Sequence, residues 1–422
     1  MRVTRRYLSS RRFCLLLFAC LVAFHSSSAN AQRSSQKHAK RRPAVHKFSS
    51  DSSARDIKFE LIGNLPLVQA RVNNSDPLWF IFDTGAGYTV IDTKRAAALG
   101  LKANGKIVSS GAAGNAEAAR VPDVTIRFPG FEVTGLTVYT LSVDSFSAHF
   151  GVPISGVIGN DIIGRVVVEI DYEQRKLSFY EGASYRPDTN GQVFAVTLQD
   201  GLPMIQGQFK FANRNFSGLF EIDTGSTGAI QINTPFVRRH RLLSLVKQSK
   251  SENLGGVGGT AEGVATRFES VALGKYRLPA PIAKLSKAKQ GDYSSRRYDG
   301  LLGGRIFRRF KLVVDLQRRR VIFTPNHSLN EPFEADMSGL ELVADGDDLA
   351  TYLVDDVEAG TPAAEAGIKG GETLVAIDDR PATSFTLDEI RRMFMYDGRE
   401  YGLTLKRDHD TIRVKLKLRR LI

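Results

Sequence analysis

The chain of 422 residues contains only two cysteines, Cys14 and Cys20, and both lie close to its beginning. The rest of the chain therefore cannot depend on disulfides or cysteine ligands. Its seven histidines are scattered and form no His-Glu-x-x-His motif. We predict no metal site and no cofactor, and a fold stabilised by buried apolar side chains.

The chain has no apolar run long enough to span a membrane. The apolar run at residues 13–24 follows five arginines, and residues 28–31 read Ser-Ala-Asn-Ala, a small-x-small cleavage pattern. This combination predicts a secretory signal peptide over residues 1–31. The protein would then be exported to the periplasm, the cell envelope or the exterior. A lipoprotein is the alternative, because residues 17–20 read Leu-Phe-Ala-Cys, a loose lipobox.

Acidic residues are scarce in the first 55 positions, where most of the formal charge of +13 lies. Residues 1–31 carry five arginines and no acid, and residues 32–55 carry seven Lys or Arg against Asp51. About +2 is left for the remainder, so a nucleic-acid partner is not expected. Residues 32–55 are rich in Ser, Lys and Arg and poor in apolar residues, which predicts a disordered basic linker.

Asp-Thr-Gly occurs twice, at residues 83–85 and 223–225, each time after a short apolar run. Other segments match in the same order, including a Gly-rich segment and an apolar-apolar-Gly triplet in each copy. Such order indicates an internal repeat of about 130 to 140 residues. We assign the first half to residues 56–190 and the second half to residues 191–330. Short alternating runs bounded by Gly, Asn and Asp predict that both halves are all-β.

A pair of facing carboxylates suits acid–base catalysis in which a water molecule attacks a carbonyl carbon. Two carboxyl groups held close together cannot both ionise cheaply, so the pair shares one proton. The ionised partner can take a proton from water, while the protonated partner hydrogen-bonds the carbonyl oxygen that the water attacks. Gly85 and Gly225 allow close backbone approach. Hydroxyls of Thr84 and Thr224 can lock the two loops together.

The Asp-Thr-Gly-Ala and Asp-Thr-Gly-Ser elements, with Val-Ile-Gly at residues 157–159 and Leu-Leu-Gly at 301–303, resemble the pepsin-like and retropepsin-like aspartic peptidases. The resemblance covers about residues 57–327. It implies a mainly β fold in which two similar all-β lobes form a cleft, with peptides or unfolded proteins as substrates. The residues it implies for the site are Asp83 and Asp223 as the catalytic pair and Thr84, Gly85, Thr224, Gly225 and Ser226 as loop support.

Two glycine-rich segments are candidate flaps over the cleft. Gly256, Val257 and Gly258 are similar to the flap hairpin of retropepsins, and Gly111 and Gly114 belong to the matching segment of the first half. The first-half segment has no pepsin-type tyrosine. Gly256-x-Gly258-x-x-Ala261 also fits a dinucleotide fingerprint, but residues 265–273 predict a strand where that motif requires a helix.

The two copies differ after the triplet, where Ala86 stands opposite Ser226. Only the second copy has a hydroxyl at this position. With fewer hydrogen bonds to the ionised carboxylate, the pKa of the pair should be depressed less. We therefore expect the pH optimum of cleavage to be less acidic than that of pepsin.

Two alternatives remain open. The protein could be a peptide-binding envelope protein that kept the fold without catalysis, and residues 32–55 could be a pro-segment instead of a spacer.

Residues 335–422 differ in character from the repeat. Residues 359–368 and 370–378 resemble the helix, turn and buried strand of a bacterial PDZ domain. The resemblance implies a small α+β domain that binds C-terminal peptides by strand addition. A structural cap with an empty or occluded groove is the alternative, as is a scaffold in which this domain is the working site. The peptide-binding candidates are Ser338, Gly339, Leu340, Leu342, Leu387 and Ile390.

Overall fold

The structure is a computed structural model that describes residues 23–24, 43–188 and 190–422. These residues form three β-sheets of 15, 10 and 6 strands, so the fold is mainly β as predicted. No helix within the described ranges is long and apolar enough to cross a membrane. The predicted leader over residues 1–31 lies outside the described residues, apart from a two-residue strand.

The first half supplies most of the largest sheet. Its elements in chain order are β1 (Ala23–Phe24), β2 (Val45–Phe48), β3 (Ser53–Ile62), β4 (Leu65–Val72), β5 (Leu78–Phe82), β6 (Val90–Asp92), α1 (Thr93–Ala98), β7 (Asn104–Ser110), β8 (Asn115–Phe128), β9 (Phe131–Leu141), α2 (Asp144–Phe150), β10 (Ile154–Ile158), α3 (Asn160–Ile163), β11 (Val167–Asp171) and β12 (Lys176–Tyr180).

The second half repeats this pattern. Its elements are β13 (Gln192–Ala195), β14 (Thr197–Gln199), β15 (Leu202–Phe211), β16 (Arg214–Ile222), β17 (Ile230–Ile232), α4 (Thr234–Arg239), β18 (Lys250–Gly256), β19 (Gly259–Arg267), β20 (Ser270–Leu273), β21 (Tyr276–Pro279), β22 (Ile282–Ser286), β23 (Gly300–Leu302), α5 (Gly304–Phe307), β24 (Phe310–Asp315) and β25 (Arg320–Pro325). Short 3-10 turns lie at Leu242–Leu245, Asp292–Ser294 and His327–Asn330.

Corresponding strands pair in the same way in both halves. In the first, β10 lies between β5 and β6, parallel to β5 and antiparallel to β6. In the second, β23 lies between β16 and β17 with the same directions. The halves join where β11 pairs with β24, with Val168 opposite Val314. β5 thus lies between β4 and β10, and β16 lies between β15 and β23, which positions the loops that follow them.

Local signals account for the helix starts. The side chain of Asp92 accepts a hydrogen bond from Arg95 N at 2.9 Å and caps α1. Asn233 precedes α4, whose first turn contains Pro235. The largest apolar core includes residues from both halves, such as Phe82 and Ile222, which are both fully buried.

The prediction of disorder over residues 32–55 is wrong for part of that segment. β2 pairs with β9, and β3 begins at Ser53. The ring of Phe48 lies 5.0 Å from that of Phe131, and His46 Nε2 lies 3.0 Å from Glu181 Oε2. The few apolar side chains of the segment therefore contact a core that the rest of the chain provides, which composition alone does not reveal.

Residues beyond 335 form the third sheet and its own core. Its elements are β26 (Leu340–Asp345), β27 (Thr351–Val357), α6 (Pro362–Glu365), β28 (Thr373–Ile377), β29 (Arg380–Pro381), a 3-10 turn at Ala382–Ser384, α7 (Leu387–Met393), β30 (Glu400–Arg407) and β31 (Asp410–Lys417). α7 begins at a capping box formed by Thr386 and Glu389. β26 is an edge strand of this sheet.

Candidate active site

Asp83 and Asp223 occupy matching positions at the ends of β5 and β16. Asp83 N donates to Ile158 O at 3.0 Å, and Asp223 N donates to Leu302 O at 3.0 Å. The acceptors belong to the two apolar-apolar-Gly triplets, which pack behind the loops. Each aspartate is therefore fixed to the central strand of its own half.

The two threonines that follow the aspartates interlock. Thr84 Oγ1 donates to Ile222 O at 2.5 Å, and Thr224 Oγ1 donates to Phe82 O at 2.8 Å. Each hydroxyl also accepts from the other threonine's backbone N–H, at 3.0 and 3.1 Å. All four bonds are buried and cross between the halves. They fix the relative position of the two loops.

The two carboxyl groups meet between these loops. Asp83 Oδ1 accepts from Gly85 N at 2.7 Å and from Gly225 N of the other half at 3.2 Å. Asp223 Oδ1 accepts from Gly225 N at 2.9 Å. A β-carbon on Gly85 would lie 2.7 Å from Asp223 Cγ, so this approach requires glycine. The N–H of Gly225 thus reaches an oxygen of each carboxyl, so the two carboxyls lie side by side.

Burial controls the protonation of the pair, because neither aspartate has exposed surface. Burial raises the pKa of Asp83 to about 7, against hydrogen bonds from the backbone of Gly85 and from Asp223. Burial also raises the pKa of Asp223 well above its ordinary value, and the charges of Asp83 and Glu221 add to this effect. Ionising both carboxyls is therefore costly, and a singly protonated pair is favoured over a broad pH range.

The hairpins β7–β8 and β18–β19 contact each other at their tips, which we call the first tip (residues 111–114) and the second tip (residues 256–259). The first tip packs against the second half, since Ala112 lies in a buried cluster with Leu301. The second tip packs against the first half, since Val257 lies in a cluster with Ile81. Ala113 N donates to Val257 O at 3.2 Å.

The glycines of the tips permit this contact. A β-carbon on Gly111 would overlap the backbone of Val257, and one on Gly258 would overlap the backbone of Gly114. Gly258 also has a φ of +92°, which favours glycine. Gly256 pairs with Gly259 and closes the second hairpin. The structure thus places all five candidate flap residues at the two tips.

Tyr293 is a site residue that the sequence did not indicate. Its hydroxyl donates to Gly255 O at 2.7 Å, and its backbone N–H donates to Ala112 O at 3.1 Å. The loop between β22 and β23 therefore holds both hairpins in place. The one available signal was an aromatic residue inside a polar, glycine-containing loop.

Ser226 does not lie as the sequence suggested. Its hydroxyl is directed towards Gly303, where an added β-carbon would come within 2.8 Å of it. The backbone N–H of Gly225 donates to the Asp223 carboxylate at 2.9 Å. The difference between Ala86 and Ser226 therefore has less influence on the carboxyls than the sequence implied.

The loop before β26 was expected to capture a peptide carboxylate, but its N–H groups already have acceptors. Asp336 Oδ1 accepts from Ser338 N at 2.9 Å and from Gly339 N at 3.1 Å. Leu340 N donates to Ser338 Oγ at 2.9 Å. The side chain of Asp336 therefore occupies the place where a peptide terminus was expected to bind.

The groove between β26 and α7 is also filled, by α2 of the first half. Arg391 Nη2 donates to Leu342 O at 2.8 Å, and His149 Nδ1 lies 3.7 Å from Glu341 Oε1. A β-carbon on Gly151 would lie 3.1 Å from Leu387 Cβ. The candidates Leu340, Leu342, Leu387 and Ile390 are all buried. The expectation of an open peptide groove is wrong for this conformation.

Comparison with known families agrees with the first half of the site. A sequence profile described as "Aspartyl protease" matches residues 68–162. This span contains the first Asp-Thr-Gly triplet, the first hairpin and the first apolar-apolar-Gly triplet. Residues 68–162 therefore form an aspartyl protease domain. No curated protein matches the chain in a sequence comparison.

Proposed function

We propose that this protein is an aspartic endopeptidase in which two lobes of one chain provide the catalytic pair Asp83 and Asp223. The approach of the two buried carboxyls carries this proposal. The reciprocal bonds of Thr84 and Thr224 support it, because they give the loops little freedom to separate. The family match to residues 68–162 supports the first lobe, and the repeated strand pairing supports the second.

The singly protonated pair provides both a general base and a general acid. The ionised carboxylate takes a proton from water as the water oxygen bonds to the peptide carbonyl carbon. The protonated carboxyl gives its proton to the carbonyl oxygen, so that a neutral gem-diol forms. The carboxyl that took the proton from water then gives it to the amide nitrogen. The other, now ionised, carboxyl takes a proton from a diol hydroxyl, and the C–N bond breaks. The products are a carboxylic acid and an amine, and the pair again holds one proton.

Substrate access requires movement of the two tips. They contact each other over carboxyls that have no exposed surface. An extended peptide would enter when the hairpins separate and would be covered when they close. Closure excludes water from the carboxyls, which maintains their raised pKa values. We expect the rate of cleavage to peak above about pH 3 for the same reason.

Cleavage of a peptide library, followed by mass spectrometry, tests this function. A statin-containing inhibitor should block it, and Asp83→Asn or Asp223→Asn should reduce the rate by roughly 10²–10⁴-fold. Asp76→Asn is the matched control, because the Asp76 side chain is fully exposed. Cleavage that persists in both dyad variants would contradict the assignment of catalysis to this pair. No cleavage of any peptide by wild type would favour the non-catalytic peptide-binding alternative.

We also infer that residues 335–422 are a PDZ-like domain that is docked on the peptidase lobes. The order of β26, β27, α6, β28 and α7 supports this assignment. Recognition of substrate C-termini would require α2 to leave the groove and Asp336 to release the loop. Wild type should bind a free-carboxylate peptide weakly, and the double variant Gly151→Val/Asp336→Ala should bind it more tightly than an amidated peptide. Equal binding of both peptides by that variant would contradict C-terminal recognition.

Export is a further part of the proposal and depends on the leader pattern of residues 1–31. Fractionation of cells that express the full chain tests it. A product that begins near residue 32 and leaves the cytoplasm is expected. A full-length cytoplasmic product would contradict export.

A further inference from the structure

Glu221 is a buried acid that the dyad mechanism does not use. It lies two residues before Asp223 on β16 and has no exposed surface. Neither of its carboxylate oxygens has a hydrogen-bond partner among the described residues. The matching position in the first half is the apolar Ile81, which is also fully buried. Burying a carboxyl without a hydrogen-bond partner destabilises the folded state, so its presence requires an explanation.

The strand register shows which way Glu221 faces. Residues two apart on a strand share a face, so Glu221 lies on the side of Asp223. Its partners on the neighbouring strands are Met204 and Leu301, and directly opposite residues share a face. Leu301 packs against Ala112 of the first tip. Glu221 therefore lies beneath the hairpin tips, beside the catalytic carboxyls.

Two further side chains near it, Asp292 and Tyr298, each have one oxygen without a hydrogen-bond partner among the described residues. Asp292 is 2% exposed, its Oδ2 has no partner among the described residues, and its N–H donates to Gly111 O of the first tip at 3.2 Å. Its other oxygen lies 3.7 Å from Arg297 Nη2. Tyr298 packs against Met204, and its buried hydroxyl also has no partner in the described part of the chain.

The electrostatics agree with this grouping. Burial raises the pKa of Glu221 well above its ordinary value, and Asp292 and Asp83 add to the effect. Burial raises the pKa of Asp292 to about 7. Both carboxyls therefore hold a proton more readily than an exposed carboxyl does. A cation placed among them would reverse this preference and supply donors to every free oxygen.

We propose that Glu221, Asp292 and Tyr298 form a subsite for a lysine or arginine side chain of the substrate, next to the cleaved bond. This inference depends on the proposed peptidase function. An ammonium carries three donors and a guanidinium five, which matches two carboxyls and one phenol. On the other side of the dyad, Ile81 contacts the apolar cluster that includes Val257. The cleaved bond should therefore lie between a basic residue and an apolar residue.

Matched peptides that differ only in lysine or norleucine beside the cleaved bond test the subsite. Wild type should have a kcat/KM about 10- to 100-fold higher for the lysine peptide, as one charge-assisted hydrogen bond allows. Glu221→Gln should bring this ratio to about one, whereas Glu262→Gln, an exposed change on β19, should keep it. Thermal unfolding checks that both variants are folded.

Binding provides a readout that does not need catalysis. Statin-containing lysine and norleucine peptides should differ in affinity for wild type in the same ratio, and Glu221→Gln should remove the difference. Equal affinity and equal cleavage of the two peptides by wild type would overturn the subsite while leaving the peptidase intact. Preferential lysine binding without cleavage of any peptide would retain the subsite and overturn the proposed peptidase function.

Discussion

Replacement of Asp83 by asparagine should stabilise the fold at neutral pH while it removes activity. The folded protein holds the proton of Asp83 more tightly than the unfolded chain, because burial raises the pKa from 3.8 to about 7. This carboxyl therefore favours the folded state below about pH 4. The advantage is lost as the pH rises towards 7, where ionisation is costly in the folded state.

The size of the effect follows from the pKa difference. A shift of about three pH units corresponds to on the order of 4 kcal/mol. Asparagine keeps an oxygen that can accept from Gly85 N, and its amide can donate to the Asp223 carboxylate. Asp83→Asn should thus raise the free energy of unfolding by up to about 4 kcal/mol near pH 7.5, and by little near pH 3.5.

Urea unfolding of wild type and variant at about pH 3.5, 5.5 and 7.5 measures this difference. The exposed variant Asp76→Asn should show no comparable pH dependence. A variant that is less stable than wild type at all three pH values would refute the reasoning. So would a stability difference that does not change with pH.

Three other predictions concern the loops, the hairpin tips and the N-terminal strand. Thr224→Val should lower the free energy of unfolding by about 2–4 kcal/mol in urea titrations, because Phe82 O loses a buried donor and the Thr84 N–H loses a buried acceptor; Thr224→Ser, which keeps the hydroxyl, should not. Gly258→Ala should reduce kcat/KM more than Gly259→Ala, since both glycines have positive φ but only Gly258 contacts the opposite tip; equal losses would contradict a role for tip contact. Phe48→Ala should cost about 1–2 kcal/mol in thermal or urea unfolding, whereas a disordered segment would show no change.

Much of the site could be predicted because its signals are local and occur twice. The Asp-Thr-Gly triplets and the apolar-apolar-Gly triplets each depend on a few neighbouring residues. Repetition in the same order then indicated which parts of the two halves correspond. The pairing of β11 with β24 was not predicted, since it depends on contacts between strands about 140 positions apart.

The remaining features depend on contacts between distant segments. Residues 45–48 lie in a segment of polar composition but pair with residues 131–134 of β9, away from the part of β9 that pairs with β6. The groove beside β26 is filled by α2, and nothing in the local sequence of either element indicates the other. Glu221 had a readable signal, because an acid interrupts an apolar strand at the position where the first half has Ile81. That signal indicates a functional residue only once the strand register is known, because the register places Glu221 beneath the hairpin tips.

The most direct test of the shared catalytic pair compares the single variants Asp83→Asn and Asp223→Asn with the double variant in one peptide-cleavage assay. Groups that act as one unit are not additive. Each single variant should therefore lose about as much activity as the double variant, with all three retaining the fold. Losses that multiply, or a single variant that keeps wild-type cleavage, would contradict a dyad that works through one shared proton.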